Sequence, residues 1–563
     1  MKRISPKHKA ALYLFLFFAS FYYLTNAGGY KAGDESVMSA LARQMAYKGK
    51  IGFDKTQYPP GEDPCTRGID GLYHPKWGLG QSLVEVPFYF LHRIVWQVVP
   101  YDQRLPRVSI IHRLSEMLTV FICPSVISAL GCTLVFLFGL RLGFSRRVSI
   151  VLSLIYGIGT MVWPYSKSLM SEATLNVAML GGVYATVSYV SDRKKWWLTV
   201  SALCMGFALI TKVVSTIVLF PLLVYLFLGV TQRRIGDIVV YFILPYLLFV
   251  GLQLWYNMIR YGDLLTFGYD RHWGSLGFCT PLYVGLWGLF LSPGKSFFLY
   301  TPISLLGLVS SRAFFKNRKA EALLFLGTTA VFTIPHSLWV LWAGDWAWGP
   351  RFLLPITPYL VLPIGYYLEK WPSISRLKKT CVGVLIAGSV FVQILGVTIH
   401  PFSFIESRWT VASRLLKETK PYTYVGTYAE NAMVNFSPVF SHIVGNWWLF
   451  KHLILSYDLW KDVPWKDLGD FNLPPPKWVK DNRTIPFWWP ISFSMVSGTD
   501  KRWIVPLALA SFFAVVWFAV RLSGEIAEPN APVGAPGRES RRGGLARLKT
   551  RGINANVREK DYT

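Results

Sequence analysis

Two adjacent acidic residues, Asp34 and Glu35, directly follow the first hydrophobic stretch of the chain. Carboxylates at a membrane edge cost desolvation free energy unless they bind a cation or take part in a reaction. The apolar residues that follow recur at every fourth position, which predicts an amphipathic surface helix over 36–47 with both acids in its first turn. Stabilisation of that helix, about 0.3–1 kcal/mol, is the competing interpretation. The acids are therefore candidates for catalysis or for helix capping.

A third acid, Glu172, opens a later hydrophobic stretch, where a simple N-terminal acid beside a Ser171 cap is the alternative. Basic residues are predicted at the same outer membrane edge: Lys76, Arg113, Lys167, Lys212, Lys295 and Arg351. Cations at that face run against the positive-inside distribution, and a phosphate or pyrophosphate group is a suitable ligand for them. The alternatives are snorkelling for Lys212, and an ion pair with Asp345 or an aromatic-belt position for Arg351.

Histidines and cysteines give weaker signals. His74 and His272 would suit a zinc or manganese site together with carboxylates, but their spacing fixes no metal site, and exposed loop histidines are the simpler interpretation. A divalent metal is thus left open, and the sequence requires no cofactor. Cys65 and Cys279 fall in predicted external segments, where a disulfide between them is one alternative to two free thiols.

Composition defines the class of protein that must position these residues. The 563 residues are 52% hydrophobic and 16% charged, and the mean hydropathy is +0.35. Repeated apolar runs, each bounded by charge, indicate an all-α polytopic membrane protein. The net charge of +27 is concentrated in short loops and in a basic C-terminal tail, which indicates cytoplasmic loops and anionic lipids rather than nucleic acid as partners.

The apolar runs predict about twelve transmembrane helices with both termini in the cytoplasm. The predicted spans are 10–27, 114–140, 148–165, 172–191, 196–212, 213–230, 236–257, 296–311, 320–342, 353–369, 380–399 and 503–522. Segment 79–99 is predicted to lie in the outer interface as juxtamembrane helices. The long external segments are then 28–113, 258–295 and 400–502.

This layout gives four regions. Residues 1–399 form a transmembrane catalytic module, and 400–502 form an external region rich in Trp and Pro. A last transmembrane helix over 503–522 precedes a basic tail, 523–563, whose composition predicts disorder. The short cytoplasmic loops leave no room for a nucleotide-binding domain, and no P-loop motif is present.

The chain resembles the C-type glycosyltransferase fold, in particular the enzymes that use phospholipid-carried sugars, such as protein O-mannosyltransferases and lipid A aminoarabinose transferases. The resemblance rests on five features in order: the pair Asp34-Glu35, Tyr73-His74-Pro75-Lys76, Glu172, Thr211-Lys212, and the run Trp348-Gly-Pro-Arg351-Phe-Leu-Leu-Pro355. It covers about residues 10–400. The lipid A enzymes have an acid where this chain has His74, so their metal site does not transfer.

The resemblance implies transfer of a sugar from a polyprenyl-phosphate donor to an envelope acceptor (a lipid, a glycan or a protein) on the external face of a membrane. Asp34 would be the general base that deprotonates the acceptor, or would orient it, and Glu35 or Glu172 would support the base or contact the acceptor. The donor phosphate would be bound by Lys76, Lys212 and Arg351, with further substrate contacts from Tyr73, His74, Trp348 and Arg113. We expect a bacterial plasma membrane protein. The alternatives are a secondary transporter or flippase of lipid-linked saccharides, and a non-catalytic scaffold.

Overall fold

The computed structural model describes residues 5–26, 33–55, 64–98, 115–230, 234–269, 277–344, 347–399, 435–438, 441–451 and 501–527. The first half of the chain contains α1 Pro6–Leu24, α2 Gly33–Lys48, β1 Cys65–Arg67, β2 Tyr73–Pro75, α3 Gly80–Val98, α4 Ser115–Arg141, α5 Arg146–Ile158, α6 Val162–Tyr165, α7 Ser171–Asp192, α8 Trp196–Thr211, α9 Val213–Gly229 and α10 Ile235–Tyr261. The second half contains α11 Leu282–Leu291, α12 Phe297–Tyr300, α13 Ser304–Asn317, α14 Lys319–Leu338, α15 Arg351–Glu369, α16 Arg376–Thr398, α17 His442–Phe450 and α18 Lys501–Ala527.

Six of the described helices are long and apolar enough to cross a membrane, namely α4, α7, α10, α15, α16 and α18. Helices α8, α9 and α11 are apolar but shorter. The helical fold with apolar spans confirms the predicted class, whereas the number of about twelve crossings stays a prediction.

Helix α7 is the most enclosed of the six. Within its most apolar window 89% of the residues are buried, and it packs against α4 and α8. Helix α18 is at the other extreme, with 6% of its window buried, and it packs mainly against α1. A helix that is apolar on all sides yet exposed in the isolated chain is suited to lipid contact. The core therefore surrounds α7, and α18 lies at the periphery.

Two predicted spans are interrupted, which corrects the sequence-based assignment. The span 148–165 is divided between α5 and the single turn α6, because α5 ends at Gly159. The span 296–311 is divided between α12 and α13 around Pro302, which cannot donate a helical hydrogen bond. The predicted external segment 258–295 also contains an apolar helix, α11, which packs against α14.

The opposite ends of the helices carry two separate groups of polar contacts. At one end Arg193 donates to the Gly229 carbonyl at 2.7 Å, and so links the last turns of α7 and α9. At the other end Lys212, in the turn between α8 and α9, lies 2.7 Å from Glu172 in the first turn of α7. We call the end that contains Glu172 the site face and the end that contains Arg193 the opposite face.

The site face is covered by α2, α3 and a small hairpin. Helices α2 and α3 pack against each other, and β1 pairs antiparallel with β2 so that Cys65 lies opposite Pro75. The helix predicted over 36–47 is confirmed as α2, with both acids in its first turn. The segment predicted to lie in the interface forms α3, which is not among the candidate spans.

Candidate functional site

Four charged side chains from distant parts of the chain form a continuous line at the site face. An Asp34 carboxylate oxygen lies 3.6 Å from Nη1 of Arg351, and Nε of Arg351 lies 3.8 Å from a Glu172 carboxylate oxygen. The same Glu172 oxygen accepts a hydrogen bond from Lys212 Nζ at 2.7 Å. The first turns of α2 and α7, the turn after α8 and the start of α15 therefore meet at one place.

The three acids differ in how accessible they are. The Asp34 side chain is 23% exposed, the Glu172 side chain is 3% exposed, and Glu35 as a whole residue is 1% exposed. Glu35 accepts a hydrogen bond from the Ser168 hydroxyl. Asp34 is thus the member of this group that a substrate can reach, while Glu35 and Glu172 are held within the protein.

Lys76 joins the group from the hairpin side. It follows β2 directly, and its ammonium lies 5.2 Å from the ring centre of Trp77 and 5.9 Å from that of Tyr269. Burial lowers the pKa of Lys76 from its ordinary value, the Asp34 carboxylate opposes this shift, and Arg351 adds to it. The charges of Asp34 and Arg351 therefore act on Lys76, which places it with the other site residues.

The loop before α15 is bent so that Arg351 points at the acids. Gly349 has a φ of +63°, a conformation that residues with a side chain rarely adopt, and the chain then forms a 3-10 turn from Arg351. The Tyr165 hydroxyl, at the end of α6, donates to the Trp348 carbonyl at 2.9 Å. The interruption after α5 thus supplies a residue that holds the Arg351 loop.

Two residues predicted to contact substrate are fully enclosed. His74 is 0% exposed; its ring nitrogens lie 3.0 Å from the Ile51 carbonyl and 2.9 Å from an Asp70 carboxylate oxygen, which corrects the exposed-loop interpretation. Trp348 is 3% exposed and packs edge-on against Tyr300. Both side chains pack inside the protein, and their contact with substrate stays a prediction.

Tyr73 and Arg113 are the other two residues predicted to contact substrate. Tyr73 is half-buried in β2, where its backbone pairs with Phe53. Arg113, and likewise His272 and Asp345, lie outside the described residues.

Lys167 and Lys295 both donate to backbone carbonyls. The buried ammonium of Lys167 donates to the Val397 carbonyl, and that of Lys295 donates to the carbonyls of Ala347 and Gly349. Lys212 forms an ion pair with Glu172, and Arg351 forms ion pairs with Asp34 and Glu172.

Sequence reasoning missed a fourth acid behind the site. Glu85 of α3 is fully buried and accepts a hydrogen bond from Gln81, which in turn accepts one from Thr174 of α7. Burial raises the pKa of Glu85 to about 8, against the effect of hydrogen bonds from Ser39 and Gln81. The sequence could have pointed to Glu85, because it is a single Glu among the apolar residues of an amphipathic helix.

The structure also bears on the possible metal site and on the possible disulfide. In the parts of the chain that the structure describes, no three His, Cys, Asp or Glu side chains are grouped so that they could hold a metal ion, and metal dependence stays open. Cys65 and Cys279 are not joined by a disulfide, so that alternative is not realised.

Comparison with known families gives a match to part of the chain. Residues 88–260 match the family model described as dolichyl-phosphate-mannose-protein mannosyltransferase, and no curated protein matches the sequence. The match covers about a third of the chain and includes Glu172 and Lys212. The resemblance to C-type glycosyltransferases is confirmed over this stretch. The family implies an integral membrane glycosyltransferase that uses a lipid-linked sugar.

Proposed function

We propose that this chain transfers a sugar from a polyprenyl-phosphate donor to a hydroxyl acceptor of the cell envelope, at the external face of a bacterial plasma membrane. Asp34 is the general base, and Lys76, Lys212 and Arg351 bind the donor phosphate. The observation that carries this proposal is the line of contacts from Asp34 through Arg351 and Glu172 to Lys212.

The chemistry follows from these charges. Asp34 removes the proton of the acceptor hydroxyl while the acceptor oxygen forms a bond to the anomeric carbon of the sugar. The bond between that carbon and the phosphate oxygen breaks, and its electron pair leaves with the polyprenyl phosphate. The charge that develops on the phosphate is offset by the nearby cations. Glu172 contacts both Lys212 and Arg351, so its role is to orient them toward the donor.

Glu35 supports the base rather than contacting the acceptor in this proposal. Its carboxylate is enclosed and is bonded to the Ser168 hydroxyl, whereas the adjacent Asp34 is accessible. The acceptor hydroxyl therefore approaches Asp34, the accessible acid of the pair.

The replacement Asp34→Asn tests the base directly. The amide keeps the size of the side chain but cannot accept a proton, so transfer from a short-chain polyprenyl-phosphate sugar should fall by about a hundredfold or more, as for loss of a general base. Initial rates on purified full-length protein in lipid nanodiscs measure this effect. A matched control is Asp54→Asn, a carboxylate in an exposed pair with Lys50, where rates should be unchanged.

The same preparation distinguishes the alternative functions. A flippase would move the labelled lipid-linked sugar across vesicles without forming a glycosylated product, and a scaffold would do neither. If Asp34→Asn retains normal transfer, Asp34 is not the base. If the unaltered protein forms no product from any polyprenyl-phosphate sugar but moves the lipid, the enzyme proposal is rejected.

A further inference from the structure

Arg260, at the end of α10, is a buried cation whose guanidinium donates to backbone carbonyls. Its Nη1 donates to the carbonyls of Pro75, Lys76 and Trp77 at 3.1, 3.2 and 3.1 Å. Its Nη2 donates to the Asn257 side-chain oxygen at 2.8 Å. The guanidinium carbon lies 4.0 Å from the ring centre of Tyr256. Arg260 is thus bonded to the backbone of the three-residue segment centred on Lys76.

Lys295 makes an equivalent contact on the other side of the site. This residue lies between α11 and α12, is fully buried, and donates from Nζ to the carbonyls of Ala347 at 2.9 Å and Gly349 at 3.2 Å. Those carbonyls belong to the loop that ends at Arg351. A second buried cation is therefore bonded to the backbone that carries a second proposed phosphate-binding residue.

We propose that Arg260 and Lys295 are positioning residues that hold the backbones of Lys76 and Arg351, so that both cations face the donor phosphate before it binds. This inference rests on the proposed function. Lys76 lies in a non-helical segment and Arg351 directly follows one, and the backbone carbonyls of these segments lack helical partners. A buried cation bonded to several such carbonyls makes charge-assisted hydrogen bonds, which are stronger than neutral ones.

The positioning cations also add positive charge behind the site. The carboxylates of Asp34, Glu35 and Glu172 balance the formal charges of Lys76, Lys212 and Arg351. A phosphate donor brings further negative charge into this balanced group. Arg260 and Lys295 add two formal positive charges beside the segments that carry Lys76 and Arg351, and this charge favours a bound phosphate.

Hydrogen exchange tests the positioning role without any need for turnover. The Lys76 amide donates to the Pro64 carbonyl at 3.1 Å, and the Leu353 amide donates to the Pro350 carbonyl at 2.9 Å. In full-length protein in nanodiscs, Arg260→Gln should speed exchange of the Lys76 amide, and Lys295→Met should speed exchange of the Leu353 amide. Arg318→Gln is the control, since Arg318 also donates to a carbonyl, that of Leu142, at the opposite face.

Steady-state kinetics then test whether Arg260 affects donor binding through Lys76. Arg260→Gln should raise the KM for the donor about tenfold, in line with loss of charged hydrogen bonds, while leaving the acceptor KM unchanged. Arg260→Lys should recover part of the loss. The double variant Arg260→Gln with Lys76→Met should be no worse than Lys76→Met alone, because the two residues act on the same interaction.

If the Arg260→Gln protein does not accumulate in the membrane, Gly268→Ala tests the same Lys76 segment with a different substitution. A Cβ at Gly268 would lie 2.4 Å from the Lys76 carbonyl oxygen and 2.6 Å from the Lys76 Cβ, so it displaces the same segment while leaving Arg260 in place. The donor KM should rise here as well.

The inference is overturned if exchange at Lys76 and Leu353 is unchanged, if the effects of Arg260→Gln and Lys76→Met are fully additive, or if Gly268→Ala leaves the donor KM unaltered. The proposed function fails separately, when the unaltered protein transfers no sugar from a lipid-linked donor. In that case the exchange measurements still decide whether the two cations hold these segments.

Discussion

At the scale of single residues, the site is defined by which charges are reachable. Asp34 and Arg351 are partly accessible, and Glu172 is enclosed between Arg351 and Lys212. An enclosed carboxylate that contacts two cations orients both of them, whereas an accessible carboxylate can exchange a proton with a substrate. The division of roles among the acids therefore follows from their burial rather than from their order in the sequence.

Lys76 leads to a prediction about pH. Because burial lowers its pKa, Lys76 loses its charge at a lower pH than an ordinary lysine. Donor affinity should weaken as the pH rises through the lowered pKa. Lys76→Arg, whose guanidinium stays charged, should shift this loss to higher pH. Donor KM measured from pH 7 to 10 checks the shift, and identical profiles for the two proteins would contradict a role for the Lys76 charge.

At the scale of secondary-structure elements, the interruptions of the helices build the site. The break after α5 supplies Tyr165 and Ser168, the turn between α8 and α9 supplies Lys212, and the residues between α11 and α12 supply Lys295. Gly159 ends α5, and Pro293 and Gly294 lie between α11 and α12. Helix ends leave polar groups that can bind other groups. A continuous bundle of straight helices would place none of these residues at the site.

The pairing of α2 with α3 gives a prediction about stability. Glu85 has a pKa of about 8 in the folded protein and about 4.5 when unfolded, so the unfolded state releases this proton at lower pH. Between pH 4.5 and 8 the contribution of Glu85 to stability therefore declines as pH rises. Glu85→Gln should be more stable than the unaltered protein above pH 7. The midpoint temperature of thermal unfolding, measured for both proteins at pH 5, 7 and 8.5, checks this difference in stability. An equal difference between the two proteins at all three pH values would contradict the prediction.

At the scale of the whole molecule, the two polar ends of the bundle have separate tasks. The site face gathers the acids and phosphate-suited cations, while contacts at the opposite face join one helix end to another. There the Glu525 carboxylate of α18 lies 3.1 Å from Lys9 and 3.3 Å from Arg146. This contact places the start of α1 and the end of α18 at the same face.

Glu525 should therefore matter for stability and not for donor binding. Glu525→Ala leaves Lys9 and Arg146 without this partner, and the expected loss of about 1–3 kcal/mol lies between that of exposed and buried pairs. The free energy of unfolding in detergent micelles and the donor KM are both measured for Glu525→Ala. Asp54→Ala, which removes an exposed pair with Lys50, serves as the control with a loss below about 1 kcal/mol. A changed donor KM in Glu525→Ala would show that the two faces are coupled.

The sequence by itself determined the membrane class, the helix that carries Asp34 and Glu35, and the identity of the charged residues at the site, because each depends on local spacing of apolar and charged residues. It did not locate the interruptions within 148–165 and 296–311, since a long apolar run hides a short break. Only the tertiary structure decided that Glu172 contacts both Lys212 and Arg351, that His74 is enclosed, and that Arg260 binds the segment of Lys76. Those contacts join residues far apart along the chain, and packing alone brings them together.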